Sequence, residues 1–268
     1  MQDMNILRFD FDTLIDSTKP TSSAYGRRLY QVQDQGQWFW LKAQLRDTHI
    51  QFERSYCQEL GFYQHMQGQY AYLLPFQQLD GSNQVVFERS YDVLVLPHAE
   101  QWLSDPKQLS VHHIARKIIA ILEAIEDLYA LGYLHADLKH EHFIDWQGQL
   151  KLIDFEQVQS IDSKLNHVTA TPRYMAPELF HGEAKSLHSE LYALGIIIYE
   201  WLKEERLVAK RYIDWAYLHC QNLTLTLPEP YAVFLPLLQS LTMKQKAARQ
   251  TDISEIKQQL LQIDLKNS

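Results

Sequence analysis

The chain has 268 residues, of which 46% are hydrophobic, and its formal charge at pH 7 is −8. This hydrophobic share is typical of a globular protein, and the negative charge argues against a general nucleic-acid coat, since such binding depends on Lys and Arg. Cys57 and Cys220 are its two cysteines, so neither a disulfide framework nor a zinc knuckle is expected. The absence of a signal-peptide pattern and of a long apolar run predicts a soluble, cytoplasmic protein without a membrane span.

The first third of the chain has a strand-rich pattern. Short aromatic or β-branched runs separated by polar turns predict strands over residues 6–15, 28–33, 38–44, 71–75 and 91–96. One helix is predicted over residues 52–67, where Phe52, Tyr56, Leu60 and Tyr63 recur at helical spacing.

The chain beyond Pro97 is predicted to be mainly helical. Residues 111–131 place isoleucines and leucines on one broad face, and residues 187–202 are so continuously apolar that a buried helix is expected. Further amphipathic helices are predicted over residues 212–220, 231–241 and 253–261. The pattern as a whole is that of an α+β protein.

Two acidic segments within the helical part carry the chemistry. Asp137 lies in the first segment and Asp154 in the second, and residues 143–153 between them predict a hairpin around a Gly-containing turn. Such a hairpin brings both aspartates to one cleft. Phosphoryl transfer needs an acidic group facing the acceptor hydroxyl and further groups holding a metal, and Asp137 and Asp154 suit these two tasks.

The ordered series of motifs resembles the eukaryotic-like (bacterial-type) Ser/Thr protein kinase family. This resemblance implies a two-lobed, protein-kinase-like α+β fold. It places a β-rich N-lobe at about residues 1–96, a hinge at about 97–100 and a helical C-lobe at about 101–268. It also implies ATP and Mg²⁺ or Mn²⁺ as cofactors, and the Ser/Thr hydroxyl of a protein as the acceptor.

The resemblance assigns nucleotide binding to the first lobe. Lys42 stands where the family places the lysine that holds the α- and β-phosphates, and Glu59 on the following helix is its expected partner. Glu53, earlier on the same helix, is the alternative partner. The hinge whose backbone pairs with adenine is expected at Leu96, Pro97 and Ala99.

The resemblance assigns transfer and metal binding to the second lobe. Asp137 corresponds to the catalytic base, Lys139 to the lysine at the transferred phosphate, and Asp154 to the metal-binding aspartate. Thr171 begins a segment that seats the protein substrate in the family. Three residues are expected to be structural: Glu178 and Arg249, which form a buried ion pair, and Glu190, which replaces the usual aspartate of the central helix.

Several positions depart from the family pattern. Only Gly26 remains where the family has a glycine-rich loop over the phosphates, so the stretch before it is a weak phosphate cradle and reads more simply as a surface loop. His142 occupies the position of a metal-binding asparagine. It either ligates the metal, orients a water or merely fills the space, and imidazole favours softer divalent ions than Mg²⁺.

Two further departures concern regulation. Glu156 replaces the glycine after Asp154-Phe155, which restricts the backbone flip that glycine permits. Ala136 replaces the arginine that binds phosphate on the activation segment, so the chain is predicted to act independently of phosphorylation there. Two alternatives to a protein kinase remain at this point: a pseudokinase that serves as a binding module, and a sugar or lipopolysaccharide-core kinase, which His142 suggests.

Overall fold

A computed structural model of the chain describes residues 13–80, 87, 89–163 and 170–266. Its residues group into two compact units, one within 1–69 and 73–100 and the other within 70–72 and 101–268. The first unit is built mainly of strands and the second mainly of helices, which confirms the predicted fold class. Within the described residues, no helix is both long and apolar enough to cross a membrane. Most of the strand predicted over residues 6–15 lies outside the described part of the chain.

In the part of the first unit that the structure describes, five strands form an antiparallel sheet. They are β1 (Ile15–Asp16), β2 (Arg27–Asp34), β3 (Gln37–Gln44), β4 (Gln77–Leu79) and β5 (Val93–Pro97), in the spatial order β1-β2-β3-β5-β4. Gln35 and Gly36 join β2 to β3 with positive φ angles of 49° and 82°, the geometry of a tight hairpin turn. In register, Lys42 on β3 lies opposite Leu29 on β2 and Leu94 on β5.

The predicted strand over residues 71–75 is wrong, because the strand in this region is β4. The carbonyl oxygens of Ala71 and Tyr72 accept hydrogen bonds from Lys151 Nζ at 2.6 Å and from Leu152 N at 2.7 Å. Tyr70–Tyr72 therefore groups with the second unit. Pro75 also lacks the N–H that a strand ladder requires. The aromatic residues of this stretch therefore pack within the second unit.

Among its described residues the first unit also has two α-helices, the four-residue α1 (Pro20–Ser23) and α2 (Ile50–Met66). The Tyr56 side chain of α2 is fully buried. Its hydroxyl lies 2.5 Å from the carbonyl oxygen of Lys42 and 2.8 Å from that of Asp92, and it accepts a hydrogen bond from Leu94 N at 3.2 Å. Tyr56 thus fixes α2 to the backbone of two strands beside Lys42.

The second unit contains six helices among the residues that the structure describes. They are α3 (Val111–Ala130), α4 (Pro177–Phe180), α5 (Leu187–Lys203), α6 (Tyr212–Tyr217), α7 (Leu235–Leu241) and α8 (Ile253–Lys266). α5 is buried over most of its length, as its apolar sequence predicts. At Gly195, a Cβ atom would stand 2.8 Å from Thr242 Cγ2 and 3.0 Å from Leu241 Cβ, so glycine allows α5 and α7 to approach closely.

The described residues also form five short strands beside these helices. They are β6 (Glu100–Gln101), at the boundary of the two units, and β7 (Tyr133–Leu134), β8 (Phe143–Trp146), β9 (Gln149–Leu152) and β10 (Gln159–Ser160). β8 and β9 form the predicted hairpin, with Phe143 opposite Leu152. Gln147 and Gly148 turn the chain with φ angles of 55° and 78°. The open end of this hairpin carries the residues before Phe143 and after Leu152.

Candidate active site

Asp137 is the centre of a three-residue cluster in the second unit. It lies in the loop after β7, and both of its carboxylate oxygens are engaged. Thr171 Oγ1 donates a hydrogen bond to Asp137 Oδ1 at 3.0 Å, and Lys139 Nζ lies 2.7 Å from Asp137 Oδ2. The structure therefore brings together three predicted site residues that span 34 positions of the chain.

The Lys139 ammonium group is held in its charged form. Its burial alone would lower its pKa, but the neighbouring Asp137 carboxylate, with a smaller contribution from Asp154, outweighs burial and raises the pKa above its ordinary value. A lysine that stays protonated beside an aspartate supplies a fixed positive charge. Such a charge can stabilise a negatively charged group while that group is being transferred.

Asp154 and His142 meet at the open end of the hairpin. Ile153 N donates to the His142 carbonyl oxygen at 3.2 Å, and His142 Nε2 lies 3.2 Å from Asp154 Oδ2. Asp154 has a left-handed backbone, with φ 67° and ψ 65°, which aspartate tolerates better than most residues. Glu156 lies in the short 3-10 turn that follows, over Phe155–Gln157.

His135 packs against His142 and contacts the backbone next to Asp154. Its ring stacks on that of His142 with a centroid distance of 5.4 Å, and its Nε2 lies 3.0 Å from the carbonyl oxygen of Ile153. Burial, reinforced by the nearby His142, lowers the pKa of His135 to about 3, so this imidazole is neutral. His135 fits the role of a core histidine.

The donor set of His142 and Asp154 fits a divalent cation. Two ligands of an octahedral ion at ~2.1 Å stand roughly 3 Å apart, close to the distance between Nε2 and Oδ2. Among the described residues, His142 Nδ1 is buried without a hydrogen-bond partner, so the ring is oriented by packing and its Nε2 faces the aspartate. The carboxylate oxygen suits Mg²⁺ and Mn²⁺ alike, whereas the imidazole nitrogen favours Mn²⁺ over Mg²⁺.

Lys42 contacts Glu59 in the first unit. Lys42 Nζ lies 2.8 Å from Glu59 Oε2, and the Glu59 side chain is 1% exposed. Glu53, the alternative partner, instead accepts hydrogen bonds from Thr48 N at 2.8 Å and from the Tyr91 hydroxyl at 2.9 Å. The ammonium of Lys42 is therefore positioned from α2 by a buried carboxylate.

The hinge residues lie at the end of β5. Leu96 pairs with Trp40 in the sheet, and Pro97 is the last residue of the strand. The next residue, His98, donates its backbone N–H to Trp38 O at 2.8 Å and accepts the Trp40 indole N–H at its Nδ1 at 3.0 Å. Ala99 follows this anchor and is partly exposed.

The connection between β1 and β2 is packed against the start of α2. The Tyr25 ring stacks on Phe52 with centroids 4.4 Å apart, and the Tyr25 carbonyl oxygen accepts a hydrogen bond from Gln44 Nε2 at 2.8 Å. Gly26 has φ 84°, and a Cβ atom there would stand 2.5 Å from Thr48 Oγ1. The absence of a Cβ at Gly26 thus allows the β1–β2 connection to pack closely within the first unit.

Glu178 and Arg249 form a bidentate ion pair in the second unit. The distances from Arg249 Nη1 and Nη2 to the two carboxylate oxygens are 2.6 and 2.9 Å, and both side chains are at most 4% exposed. Arg249 also donates to the carbonyl oxygens of His188 and Met243, at 2.9 and 3.0 Å. The hydrogen bonds of this buried guanidinium are thereby largely satisfied.

Glu190 binds the backbone next to Asp137. Its Oε1 accepts a hydrogen bond from Ala136 N at 2.6 Å. Burial raises the pKa of Glu190 to about 7, although the hydrogen bond from Ala136, the charge of Lys185 and the backbone of His135 act in the opposite direction. Glu190 is therefore a buried carboxyl that titrates near neutral pH.

Replacing Glu190 with glutamine should change stability in a pH-dependent way. Because folding raises the pKa of Glu190 from 4.5 to about 7, its stabilising contribution is complete below pH 4.5 and is lost as the pH rises through 7. Lys185 and Tyr70 are the titratable groups that interact with it. Glutamine stays neutral, so the melting temperature of E190Q relative to the parent should be higher at pH 8 than at pH 5.

The exposed Glu205 provides the control for this measurement. E205Q should follow the parent at both pH values. An equal difference between E190Q and the parent at pH 5 and pH 8 would contradict a raised pKa for Glu190.

Comparison with protein families matches residues 37–267 to the protein kinase domain. The match covers most of the chain and both of its units. The chain belongs to the protein kinase family. Its two units are the β-rich and helical lobes of the kinase fold, as the sequence resemblance implied.

Individual relatives match the kinase domain over shorter stretches. A cGMP-dependent protein kinase of Toxoplasma gondii is 35% identical over 86 residues, 32% of this chain and 9% of the relative. The human cGMP-dependent protein kinase 2 is 36% identical over 88 residues, 32% of this chain and 12% of the relative. A probable cell division protein kinase of Encephalitozoon cuniculi is 29% identical over 126 residues, 45% of this chain and 41% of the relative. The chain thus spans less than half the length of each of these relatives.

Proposed function

We propose that this kinase domain transfers the γ-phosphate of ATP to a Ser or Thr hydroxyl of a protein. The observation that carries the proposal is the engagement of both Asp137 oxygens, one by Lys139 and the other by Thr171. Phosphoryl transfer depends mainly on positioning and charge stabilisation, and this cluster offers an acid group and a cation in fixed geometry. Kinase family membership supports ATP and a protein acceptor.

Each residue of the cluster has a separate task in this proposal. Asp137 accepts or orients the proton of the acceptor hydroxyl, and Lys139 offsets negative charge on the transferred group. Thr171, which precedes the 3-10 turn over Pro172–Tyr174, links the substrate-seating segment to Asp137. Asp154 and His142 hold Mg²⁺ or Mn²⁺, which when bound neutralises phosphate charge.

Nucleotide positioning is assigned to the first unit. Lys42, paired with Glu59, holds the α- and β-phosphates, and the hinge over Leu96, Pro97 and Ala99 presents its backbone to adenine. The backbone amides of residues 23–26 in the β1–β2 connection already donate to carbonyl oxygens of that connection. We therefore expect Lys42 to carry a large share of the phosphate affinity.

Replacing Lys42 with methionine should therefore reduce nucleotide binding. Saturating ATP with Mn²⁺ should raise the melting temperature of the parent by several degrees, and the shift should fall below about 1 °C in K42M, since only binding to the native state raises stability. Lys203, a partly exposed residue at the end of α5, provides the matched control, and K203M should keep the parental shift. An undiminished shift in K42M would remove Lys42 from the site.

We propose that transfer does not depend on phosphorylation of the activation segment. Ala136 supplies no cation for a phosphate there, and charge-assisted ordering loses its main partner. Substituting Ser160, Ser163 and Thr169 together with alanine should leave transfer within about threefold of the parent in a steady-state assay. Thr169 lies outside the described residues. A collapse of activity in the triple variant would contradict this part of the proposal.

A panel of acceptors tests the proposed function. The parent is incubated with γ-labelled ATP, Mg²⁺ or Mn²⁺, and one of three acceptors: a generic protein, the chain itself or small sugars. Label on Ser or Thr of a protein is expected. Label on sugars alone would favour a sugar or lipopolysaccharide-core kinase.

The pseudokinase alternative has one structural observation in its favour, the anchored β1–β2 connection. In that case no acceptor would be labelled, and nucleotide would raise the melting temperature only if the domain still binds it; the absence of a shift would indicate a nucleotide-free scaffold. The panel and the thermal shift together therefore distinguish all three functions.

A further inference from the structure

Ala136, immediately before Asp137, has a backbone conformation that alanine rarely adopts. Its φ angle is 67°, in the left-handed region where a Cβ crowds the following carbonyl oxygen. A conformation of this kind persists only where surrounding groups enforce it. The direction in which the Asp137 side chain leaves the backbone depends on these torsion angles, so whatever holds Ala136 also sets the position of the proposed catalytic base.

Both polar backbone groups of Ala136 are bound by side chains from outside the loop. Glu190 accepts the Ala136 N–H at 2.6 Å. Lys185, in the segment between α4 and α5, donates its ammonium to the Ala136 carbonyl oxygen. Glu190 and Lys185 are thus two arms of one clamp, each 49 or more residues away in sequence from the residue that they hold.

The surroundings of Lys185 show that its charge faces the same site. Lys185 lines a small cavity whose wall also includes Asp137, Thr171 and Glu190. Burial lowers its pKa, while the carboxylates of Asp137 and Glu190 favour its charged form. Lys185 is therefore, together with Lys139, a second cation close to Asp137. The residue directly before Asp137 is Ala136, which has no charge of its own.

We propose that Lys185 is a positioning residue for phosphate transfer: by binding the Ala136 carbonyl oxygen opposite the Glu190 hydrogen bond, it fixes the strained peptide that aims Asp137 at the acceptor hydroxyl. The proposal deepens the proposed function and rests on it for its kinetic consequence. Its structural part, the immobilisation of the Ala136–Asp137 peptide, stands without transfer activity.

Two measurements on three variants test this inference. K185M removes the donor and the charge while keeping an unbranched side chain that is only one atom shorter, and K185R restores both. K117M is the matched control, because Lys117 also donates from a partly buried ammonium to a backbone carbonyl, that of Trp102 at 2.7 Å, in the same unit. Amide hydrogen exchange over residues 134–142 reports immobilisation, and kcat and KM for ATP report positioning.

K185M should exchange about tenfold faster over residues 134–142 than the parent, since a lost hydrogen bond to a charged donor releases the loop locally. Its kcat should fall about 10- to 100-fold with KM for ATP within twofold of the parent, because misplacement of a catalytic group affects the transfer step. K185R should recover most of both losses, and K117M should show neither.

The inference is overturned if amides over residues 134–142 exchange at the same rate in K185M as in the parent, or if exchange becomes faster evenly over the whole second unit. A kcat of K185M within twofold of that of an active parent would also overturn it. Failure of K185R to recover either property also overturns it. If the parent itself transfers no phosphate, the proposed function fails, and the exchange measurement alone then decides whether Lys185 immobilises the loop.

Discussion

Replacing Asp137 with asparagine is expected to reduce the rate of phosphate transfer by about 10²–10⁴-fold, the usual contribution of a positioned general base. Asparagine preserves the size of the side chain and can still accept the Thr171 hydrogen bond, so the loop should keep its conformation. The carboxylate charge beside Lys139 is lost, and with it the acceptor for the hydroxyl proton. Initial rates with saturating ATP and a protein acceptor give the comparison.

Asp162 provides the matched control, because it is an exposed aspartate of the same unit. D162N should transfer phosphate at the parental rate, and D137N should retain the parental melting temperature within a few degrees. A D137N variant that is folded and transfers phosphate within tenfold of the parent would remove Asp137 from the role of base.

Replacing Glu178 with glutamine is expected to destabilise the protein by about 3–5 kcal/mol, the largest stability effect that we predict. The charge of Arg249 would stay buried without its bidentate partner, while its bonds to the His188 and Met243 carbonyl oxygens cannot neutralise it. Replacing Glu178 and Arg249 together with methionine should recover much of the loss, since no unpaired charge remains. Urea unfolding monitored in the second unit gives the free energies.

The ion pair between Glu126 and Lys257 serves as the control for this experiment. Its N–O distance is 2.6 Å, but the side chains are 39% and 23% exposed, so water screens both charges. E126Q should therefore cost less than about 1 kcal/mol. A similarly small cost for E178Q would show that the buried pair does not stabilise the unit.

The helices and the catalytic hairpin could be predicted from the sequence because local signals there agree with the packing. The apolar stripe of residues 111–131 and the continuous apolar run of 187–202 correspond to α3 and α5 within one residue at each end. The turn at Gln147 and Gly148 requires positive φ angles, and glycine marks it. In these segments periodicity and turn chemistry point to the same structure.

The prediction of a strand over residues 71–75 was wrong, and no local sequence signal shows why. A run of aromatic and aliphatic residues predicts a strand wherever a neighbouring strand is available, but the backbone of Ala71 and Tyr72 bonds to Lys151 and Leu152 instead. Such a partner is chosen by tertiary packing, which overrides local propensity.

The candidate site was predicted through the order of its motifs, since no local signal joins Asp137 to Thr171 across 34 positions. Two groups that contact predicted site residues or their immediate neighbours escaped prediction. Tyr56 was assigned to the apolar stripe of its helix, but its hydroxyl binds the Lys42 backbone. Lys185 lies in a polar stretch without periodicity or motif, and its link to Ala136 depends on a backbone torsion that the sequence does not reveal.

The most direct test of this account is a crystal structure of the chain with Mn²⁺ and a non-hydrolysable ATP analogue, in which anomalous scattering locates the metal. We predict a manganese peak within about 2.3 Å of an Asp154 carboxylate oxygen and of His142 Nε2, with the terminal phosphate of the analogue beside Lys139. A peak bound by other residues, or an analogue that binds with no phosphate near Lys139, would contradict the assignment of this cluster to phosphate transfer.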